Sequence, residues 1–234
     1  MAETTTQNNT IEHEVEETLE STNLGHAINE NKNLILILAA ILVAVIIAIS
    51  VYRSMAKKAI NNELQTLYTF QQEAMKSFTD KKMSKDDFVK ALNDLDSSAK
   101  KNGAYIGLAM SAADQLVQQE SLPTAIAVLE SAVSSSSSSS YSYQLVAHQL
   151  ATLYENAGQT DNAINLLEKM IPNKFQLLVS KVYFDLGRLY LAKGDFNQAK
   201  NNFNYVLSGF AKDKLAEYSK IYLQEIESRA NESK

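Results

Sequence analysis

Residues 183–207 read YFDLGRLYLAKGDFNQAKNNFNYVL, and this stretch decides the fold. Its two halves each predict one helix, because small and large apolar residues recur at helical spacing on either side of Gly194 and Asp195. Gly194 favours a helix end, and Asp195 followed by Gln198 favours a new helix start. Small residues let two antiparallel helices approach, and large ones fill the space between successive pairs. The stretch therefore predicts a helical hairpin whose buried residues are Leu186, Gly187, Tyr190, Ala199, Phe203 and Val206.

The same frame recurs twice upstream. Residues 147–170 read AHQLATLYENAGQTDNAINLLEKM, and a weaker copy precedes them. The alanines that begin the second helices, Ala125, Ala163 and Ala199, are 38 and 36 residues apart. That spacing is close to the ~34 residues of a tetratricopeptide repeat. We predict three repeats, at about residues 104–136, 142–172 and 180–209.

Helical segments flank the predicted repeats. Residues 56–100 are interpreted as a hairpin with helices at 56–78 and 84–100, the second one beginning at Ser84 with Asp87 three residues on. Residues 212–229 carry an apolar face and are predicted to cap the last repeat. The seven serines at 134–140 predict a flexible surface loop, because serine is a poor helix former and buries little.

Composition supports an all-α chain. Only 7 glycines and 2 prolines occur in 234 residues, fewer turn residues than a β protein of this length needs. The absence of cysteine excludes disulfides, thiolate metal sites and a cysteine nucleophile. The net charge is −5, and residues 1–33 hold seven glutamates against one lysine. Neither this acidic tail nor the rest of the chain has the basic stripe of a nucleic-acid-binding protein.

Residues 34–52, LILILAAILVAVIIAISVY, predict a transmembrane helix. Nineteen helical residues extend roughly 28 Å, close to the ~30 Å of a bilayer core. The polar, acidic leader of 33 residues does not match a cleaved signal peptide. Positive residues follow the segment, at Arg53, Lys57 and Lys58, and only Lys32 precedes it. This bias favours a cytoplasmic location for the C-terminal part, residues 53–234. A small-xxx-small stripe predicts a packing face for another membrane helix, formed by Ala40, Ala44 and Ala48.

The layout of a short tail, one anchor and about three degenerate repeats resembles the YfgM-type ancillary subunits of the SecYEG translocon. The resemblance covers about residues 30–230 and rests on 102–133 (NGAYIGLAMSAADQLVQQESLPTAIAVLESAV), the two repeats above and the closing helix. It implies a bacterial inner-membrane protein with a cytoplasmic N-terminus and periplasmic repeats. It also implies translocon subunits, envelope chaperones and exported chains as partners. The implied orientation opposes the charge bias.

In such repeat arrays the first helix of each pair lines a concave surface. By register, the inward positions form a candidate peptide-binding face: Met110, Asp114, Val117, His148, Thr152, Phe184, Arg188 and Leu191. The alternative is that Met110, Phe184 and Leu191 pack against the 56–100 hairpin or the last helix. His148 has no partner at helical spacing.

No catalytic motif occurs in the sequence. It has no H-x-x-x-H pair, no glycine-rich phosphate loop and no G-x-S-x-G. We therefore expect no enzymatic activity, no cofactor or metal, and no small-molecule substrate. Three functions remain: a protein-binding accessory subunit of the export machinery, a cytoplasm-facing membrane scaffold, or a self-associating envelope or division assembly factor.

Overall fold

The computed structural model describes residues 30–95, 97–172 and 178–232, with side chains up to residue 229. The first 29 residues of the acidic tail lie outside the described residues. The described chain contains helices and no strand. The predicted all-α class with a tetratricopeptide-like helical solenoid is confirmed.

A long helix begins the described chain. Helix α1 spans Lys32–Phe70 and is followed by one π-helical turn, Gln71–Met75, and by α2, Lys76–Thr79. The predicted segments 34–52 and 56–78 belong to one helical run, because α1 continues without a break through residues 53–56. None of its most apolar 18-residue stretch is buried, so by length and composition the helix could cross a membrane. One compact unit of the chain ends at Ala59, and the other begins at Ile60.

The second unit continues with short helices. Helix α3 spans Lys85–Asn93 and α4 spans Ser97–Lys101, in place of the single predicted helix at 84–100. Ser84 starts α3 as predicted, because its hydroxyl oxygen accepts a hydrogen bond from the Asp87 backbone N–H at 3.1 Å.

Three helix pairs follow. They are α5, Gly103–Gln118, with α6, Leu122–Ser135; α7, Tyr141–Asn156, with α8, Thr160–Met170; and α9, Val179–Ala192, with α10, Phe196–Gly209. Helix α11, Lys214–Glu232, packs on α9 and α10. Part of the predicted serine loop is helical, since α6 extends through Ser135. Ser140 caps α7 by accepting a hydrogen bond from the Tyr143 backbone N–H at 3.1 Å.

Local signals explain the turns of the last two pairs. Gly158 and Gly194 have φ values of 71° and 80°, a left-handed conformation that glycine adopts at little cost. The Asp195 carboxylate accepts a hydrogen bond from the Gln198 backbone N–H at 3.0 Å, which satisfies one free donor at the start of α10. Because both signals are local in sequence, the turn within residues 183–207 could be predicted from these residues alone.

The described residues of the second unit form two apolar cores. The larger core extends from the end of α1 to α9, and the alanines Ala125 and Ala163 are fully buried in it. The smaller core joins α9, α10 and α11 around Phe203. At the α9–α10 contact, a Cβ atom on Gly187 would lie 2.6 Å from Cε1 of Phe203. Glycine is therefore required at 187 for these two helices to approach as closely as they do.

Candidate protein-binding surface

The predicted binding face lies on α5, α7 and α9, the first helices of the three pairs. Residues 110, 148 and 184 are equivalent by the 38- and 36-residue spacing, as are residues 114, 152 and 188. Equivalent positions on the three helices differ in their surroundings. Some are exposed to solvent, and others contact residues of the same chain.

Between α5 and α7, a neutral side chain makes the crossing contact. The amide nitrogen of Gln149 donates hydrogen bonds to the Asp114 carboxylate at 2.7 Å and to the Met110 carbonyl oxygen at 3.4 Å. Met110 is half-buried and packs on the main core, so it is not a fully open position. Asp114, Val117 and Thr152 are exposed, so these three predicted positions are accessible to a partner, with the Asp114 carboxylate already bonded to Gln149.

Between α7 and α9, charged side chains make the crossing contact. Asp185 is buried, and its carboxylate lies 2.8 Å from Nε2 of His148 on α7. Lys181, one turn earlier on α9, donates to the same carboxylate at 2.7 and 2.8 Å. Burial by itself would raise the pKa of Asp185, but hydrogen bonds from His148 and Lys181 outweigh it and lower the pKa to about 2. Asp185 is therefore an anion throughout the physiological range.

Arg188 forms the second charged contact between these helices. Its guanidinium donates two hydrogen bonds to the Glu155 carboxylate, at 2.9 and 3.1 Å, and a third to Asp185 at 3.1 Å. The hydrogen bonds with Glu155 are the main cause that raises the pKa of Arg188, and the negative charge of Asp185 adds to it. Bidentate pairing holds a guanidinium in one orientation. Arg188 and His148 are thus engaged within the chain and lie on the predicted face with their polar groups already paired.

Phe184 and Leu191 belong to the C-terminal packing. Phe184 is 8% exposed, and its ring contacts the rings of Phe203 and Tyr222 at centroid distances of 5.8 Å each. Leu191 is half-buried and packs on the same core. Placing Phe184 on an open surface is wrong: α11 covers it, because the aromatic residues of α10 and α11 converge on this part of α9.

The sequence pattern missed four residues of this network: Gln149, Glu155, Lys181 and Asp185. They lie beside predicted positions. Their partners on neighbouring first helices are 33 to 39 residues away, whereas the Lys181–Asp185 and Arg188–Asp185 pairs lie within α9. Two local signals were available, Lys181 with Asp185 and Asp185 with Arg188, because each pair lies about one helical turn apart on the same helix. The remaining contacts depend on how the helix pairs stack.

A second kind of contact repeats from one pair to the next. The Tyr154 hydroxyl on α7 donates to Glu130 on α6 at 2.6 Å, and the Tyr190 hydroxyl on α9 donates to Glu168 on α8 at 2.5 Å. Burial, followed by the adjacent carboxylate, raises the pKa of each tyrosine to about 12. These equivalent hydrogen bonds join each pair to the one before it.

The three alanines of the predicted membrane packing face, Ala40, Ala44 and Ala48, are exposed on α1. No helix packs on them within the described chain. Their role as an interface stays a prediction.

Comparison with known families identifies the architecture. The model of the tetratricopeptide repeat-like domain family matches residues 28–228. The chain belongs to this family. Its repeats, as in other tetratricopeptide-like domains, form a protein-binding scaffold, and such folds are typically non-catalytic. The match extends from just before the apolar helix to the last helix.

Two crystal structures of one protein of low sequence identity share the fold. A Podosopora anserina protein with nearly identical TPR-like repeats superposes with a TM-score of 0.50 at 17% identity, over 71% of this chain and 87% of its own. MamA aligns with a TM-score of 0.43 at 15% identity, over 69% of this chain and 96% of its own. Comparison with curated proteins gives no match.

Proposed function

We propose that this tetratricopeptide repeat-like chain is a membrane-anchored accessory subunit of the Sec translocon. In this role α1 anchors the chain in the bacterial inner membrane, and the repeats pass newly exported proteins to periplasmic chaperones. The observation that carries the proposal is the continuous helix α1, whose apolar part is entirely exposed and leads directly into a protein-binding repeat domain. The resemblance in layout to YfgM-type subunits supplies the Sec-specific part.

Binding of exported chains would use the exposed positions of the predicted face. Asp114, Val117 and Thr152 lie on neighbouring first helices and are accessible. His148 and Arg188 would help to hold α7 against α9, since their polar groups are engaged there. An extended or partly unfolded chain would suit such a surface, because Asp114 and Thr152 offer polar contacts and Val117 offers an apolar one.

The proposed orientation places the N-terminus in the cytoplasm and residues 53–234 in the periplasm. The flanking charges favour the opposite orientation, because Arg53, Lys57 and Lys58 follow the apolar stretch and only Lys32 precedes it. Long domains translocate largely regardless of such charges. The charge bias nevertheless supports a second candidate function, a cytoplasm-facing tetratricopeptide-like scaffold.

Cysteine labelling distinguishes the two orientations, because the chain has no cysteine of its own. Ser138 is exposed in the loop between α6 and α7, so Ser138→Cys presents a reactive thiol without disturbing the core. In intact spheroplasts, a membrane-impermeant maleimide should label this variant and leave Ser21→Cys, in the tail, unlabelled. Labelling of only Ser21→Cys would reject the periplasmic orientation and favour the cytoplasmic scaffold. Lysed cells, in which both thiols should react, provide the control.

Purification in mild detergent tests the partner. The wild-type chain should retain translocon subunits and envelope chaperones. Val117→Asp introduces a charge on the exposed predicted face and should reduce chaperone and client recovery, whereas Ala127→Asp, on the exposed side of α6, should not. Recovery of cytosolic proteins alone, or equal effects of the two substitutions, would contradict the proposal.

A further inference from the structure

The second unit contains an open groove of about 590 Å3 between the end of α1 and α5. Leu64 and Tyr68 form one wall, and Ala104, Gly107 and Ser111 form the other. The floor is apolar and includes the buried side chains of Leu67 and Leu108. Leu64 and Tyr68 are 43% and 57% exposed, although both are large side chains beside an apolar floor.

Equivalent positions in the later repeats explain why the groove is open. Ser111 corresponds to Gln149 on α7 and to Asp185 on α9, by the same 38- and 36-residue spacing. Gln149 reaches Asp114 on the preceding first helix, and Asp185 reaches His148 in the same way. The serine side chain is too short for such a crossing contact.

A second small residue on the same wall widens the groove. Gly107 corresponds to Leu145 and Lys181 in the later repeats. A Cβ atom placed on Gly107 would have no heavy atom within 4 Å, so the space beside it is empty. At the contacts of α5 with α7 and of α7 with α9, the residue equivalent to Ser111 thus crosses to the preceding first helix, whereas beside Ser111 and Gly107 a groove is left open.

We propose that a second copy of this chain occupies the groove, in a twofold-symmetric pair. In this arrangement Leu64 and Tyr68 of each copy pack against Gly107 and Ser111 of the other. In such a pair the face would be self-complementary, because each copy offers both the projecting side chains and, next to them, the empty space that receives those of the other. An isologous interface needs this property, since each residue pair then occurs twice.

The charge of the groove suits two identical copies. None of the lining residues is charged, so the copies meet without like-charge repulsion. The nearby carboxylate of Glu63 accepts a hydrogen bond from the Asn102 side chain at 3.1 Å within the same copy. A patch that carried one sign of charge would disfavour self-association.

The size of the patch indicates a weak pair. Nine residues line the groove, whereas a standard interface uses about 20–30 residues a side. Anchoring in one membrane raises the effective concentration of the copies and favours a contact that would be weak in dilute solution. Only this concentration argument rests on the proposed membrane anchor.

Photo-crosslinking of the full chain in cells tests the pair. Two versions with different epitope tags are co-expressed, and one carries Tyr68→p-benzoylphenylalanine, a change at an exposed position that the core tolerates. Irradiation should give a product that contains both tags, with the attachment point in residues 104–111. Its yield should exceed by about tenfold that obtained with p-benzoylphenylalanine at Tyr141, which is exposed outside the groove.

The second measurement is the yield of the two-tag product when a larger side chain fills the groove. Gly107→Leu in the acceptor chain should lower the two-tag product about fivefold, because leucine occupies the space that receives Tyr68. Ala127→Leu, on the exposed side of α6, should leave it unchanged, and circular dichroism of both purified variants verifies the fold. Equal yields from positions 68 and 141, no effect of Gly107→Leu, or a product that joins one tagged chain to a different protein would each overturn the proposal. The thiol-labelling result is independent of these outcomes, so failure of the pair and failure of the proposed topology are distinguishable.

Discussion

The middle pair, α7–α8, and the last pair, α9–α10, follow one residue frame but fill two equivalent positions differently. Ala151 and Leu167 of the middle pair correspond to Gly187 and Phe203 of the last pair. All four are buried. In the last pair a larger ring on the second helix is accommodated because the first helix has no Cβ at the contact. Repeats that look degenerate in sequence thus preserve the combined volume of a contact, while the two helices divide that volume differently.

The same two pairs differ in the polar contact each first helix makes with the one before it. The middle pair uses the neutral amide of Gln149, and the last pair uses the buried carboxylate of Asp185 with three cationic or imidazole partners. A buried anion loses more when its partners are removed than a neutral amide does. We therefore expect the α7–α9 junction to be more sensitive to substitution than the α5–α7 junction.

The largest effect is expected from Asp185→Ala. It removes the anion that His148, Lys181 and Arg188 share, and should lower the free energy of unfolding by about 3 kcal/mol. Gln149→Ala is the matched variant in the middle pair and should cost about 1 kcal/mol. Urea unfolding of the detergent-solubilised chain, followed by circular dichroism, gives both values. Equal losses would contradict the distinction between the two junctions.

Gly187→Ala should be next, with a loss of about 2 kcal/mol, because the added methyl group would overlap the Phe203 ring. Combining it with Phe203→Leu recreates the alanine and leucine of the middle pair. The double variant should lose about 1 kcal/mol less free energy of unfolding than the two single variants lose together. Gly107→Ala, which meets no atom within 4 Å, controls for the helical preference of alanine. Strict additivity of the two changes would show that the volumes at 187 and 203 are not coupled.

Acid should weaken the last junction selectively. The pKa of Asp185 is lowered from 3.8 to about 2 in the folded chain, so its stabilising contribution is complete above pH 3.8 and is lost as the pH falls to 2. The contribution is at most about 2 kcal/mol. The stability difference between the wild type and Asp185→Asn, measured from pH 6 to pH 2, should therefore shrink below pH 4. A difference independent of pH would exclude a depressed pKa at this site.

The smallest effects on stability are expected at the tyrosine–glutamate hydrogen bonds, which the two pairs have in common. Tyr154→Phe and Tyr190→Phe each remove one hydrogen bond to a glutamate and should cost about 1 kcal/mol. Because both folded pKa values are about 12 and the unfolded value is 10, these contributions are complete below pH 10 and are lost between pH 10 and 12. Tyr141→Phe, at an exposed position, should have almost no effect. Unequal losses at 154 and 190 would show that the two contacts are not equivalent.

Much of the fold could be predicted because its signals are local. The glycine turns and the caps at Ser84 and Asp195 lie within a few residues of the features they specify. The regular 38- and 36-residue spacing of the buried alanines shows the repeat directly in the sequence. The candidate site was less predictable. Register placed Asp114, Val117 and Thr152 on an accessible face, but it did not show that Phe184 is covered by α11 or that His148 meets Asp185.

The sequence by itself determined that the chain is helical, that it carries an apolar segment long enough to span a membrane, and where the paired helices turn. Hydrophobic periodicity and backbone preferences act over one or two helical turns, so a single segment contains the necessary information. Only the tertiary structure decided which polar side chains pair across the first helices, and which junction is left open. Those contacts join residues 33 to 37 positions apart and depend on how neighbouring pairs stack. Beside α1, the missing side chain of Gly107 and the short one of Ser111 leave a space that no other part of the described chain fills.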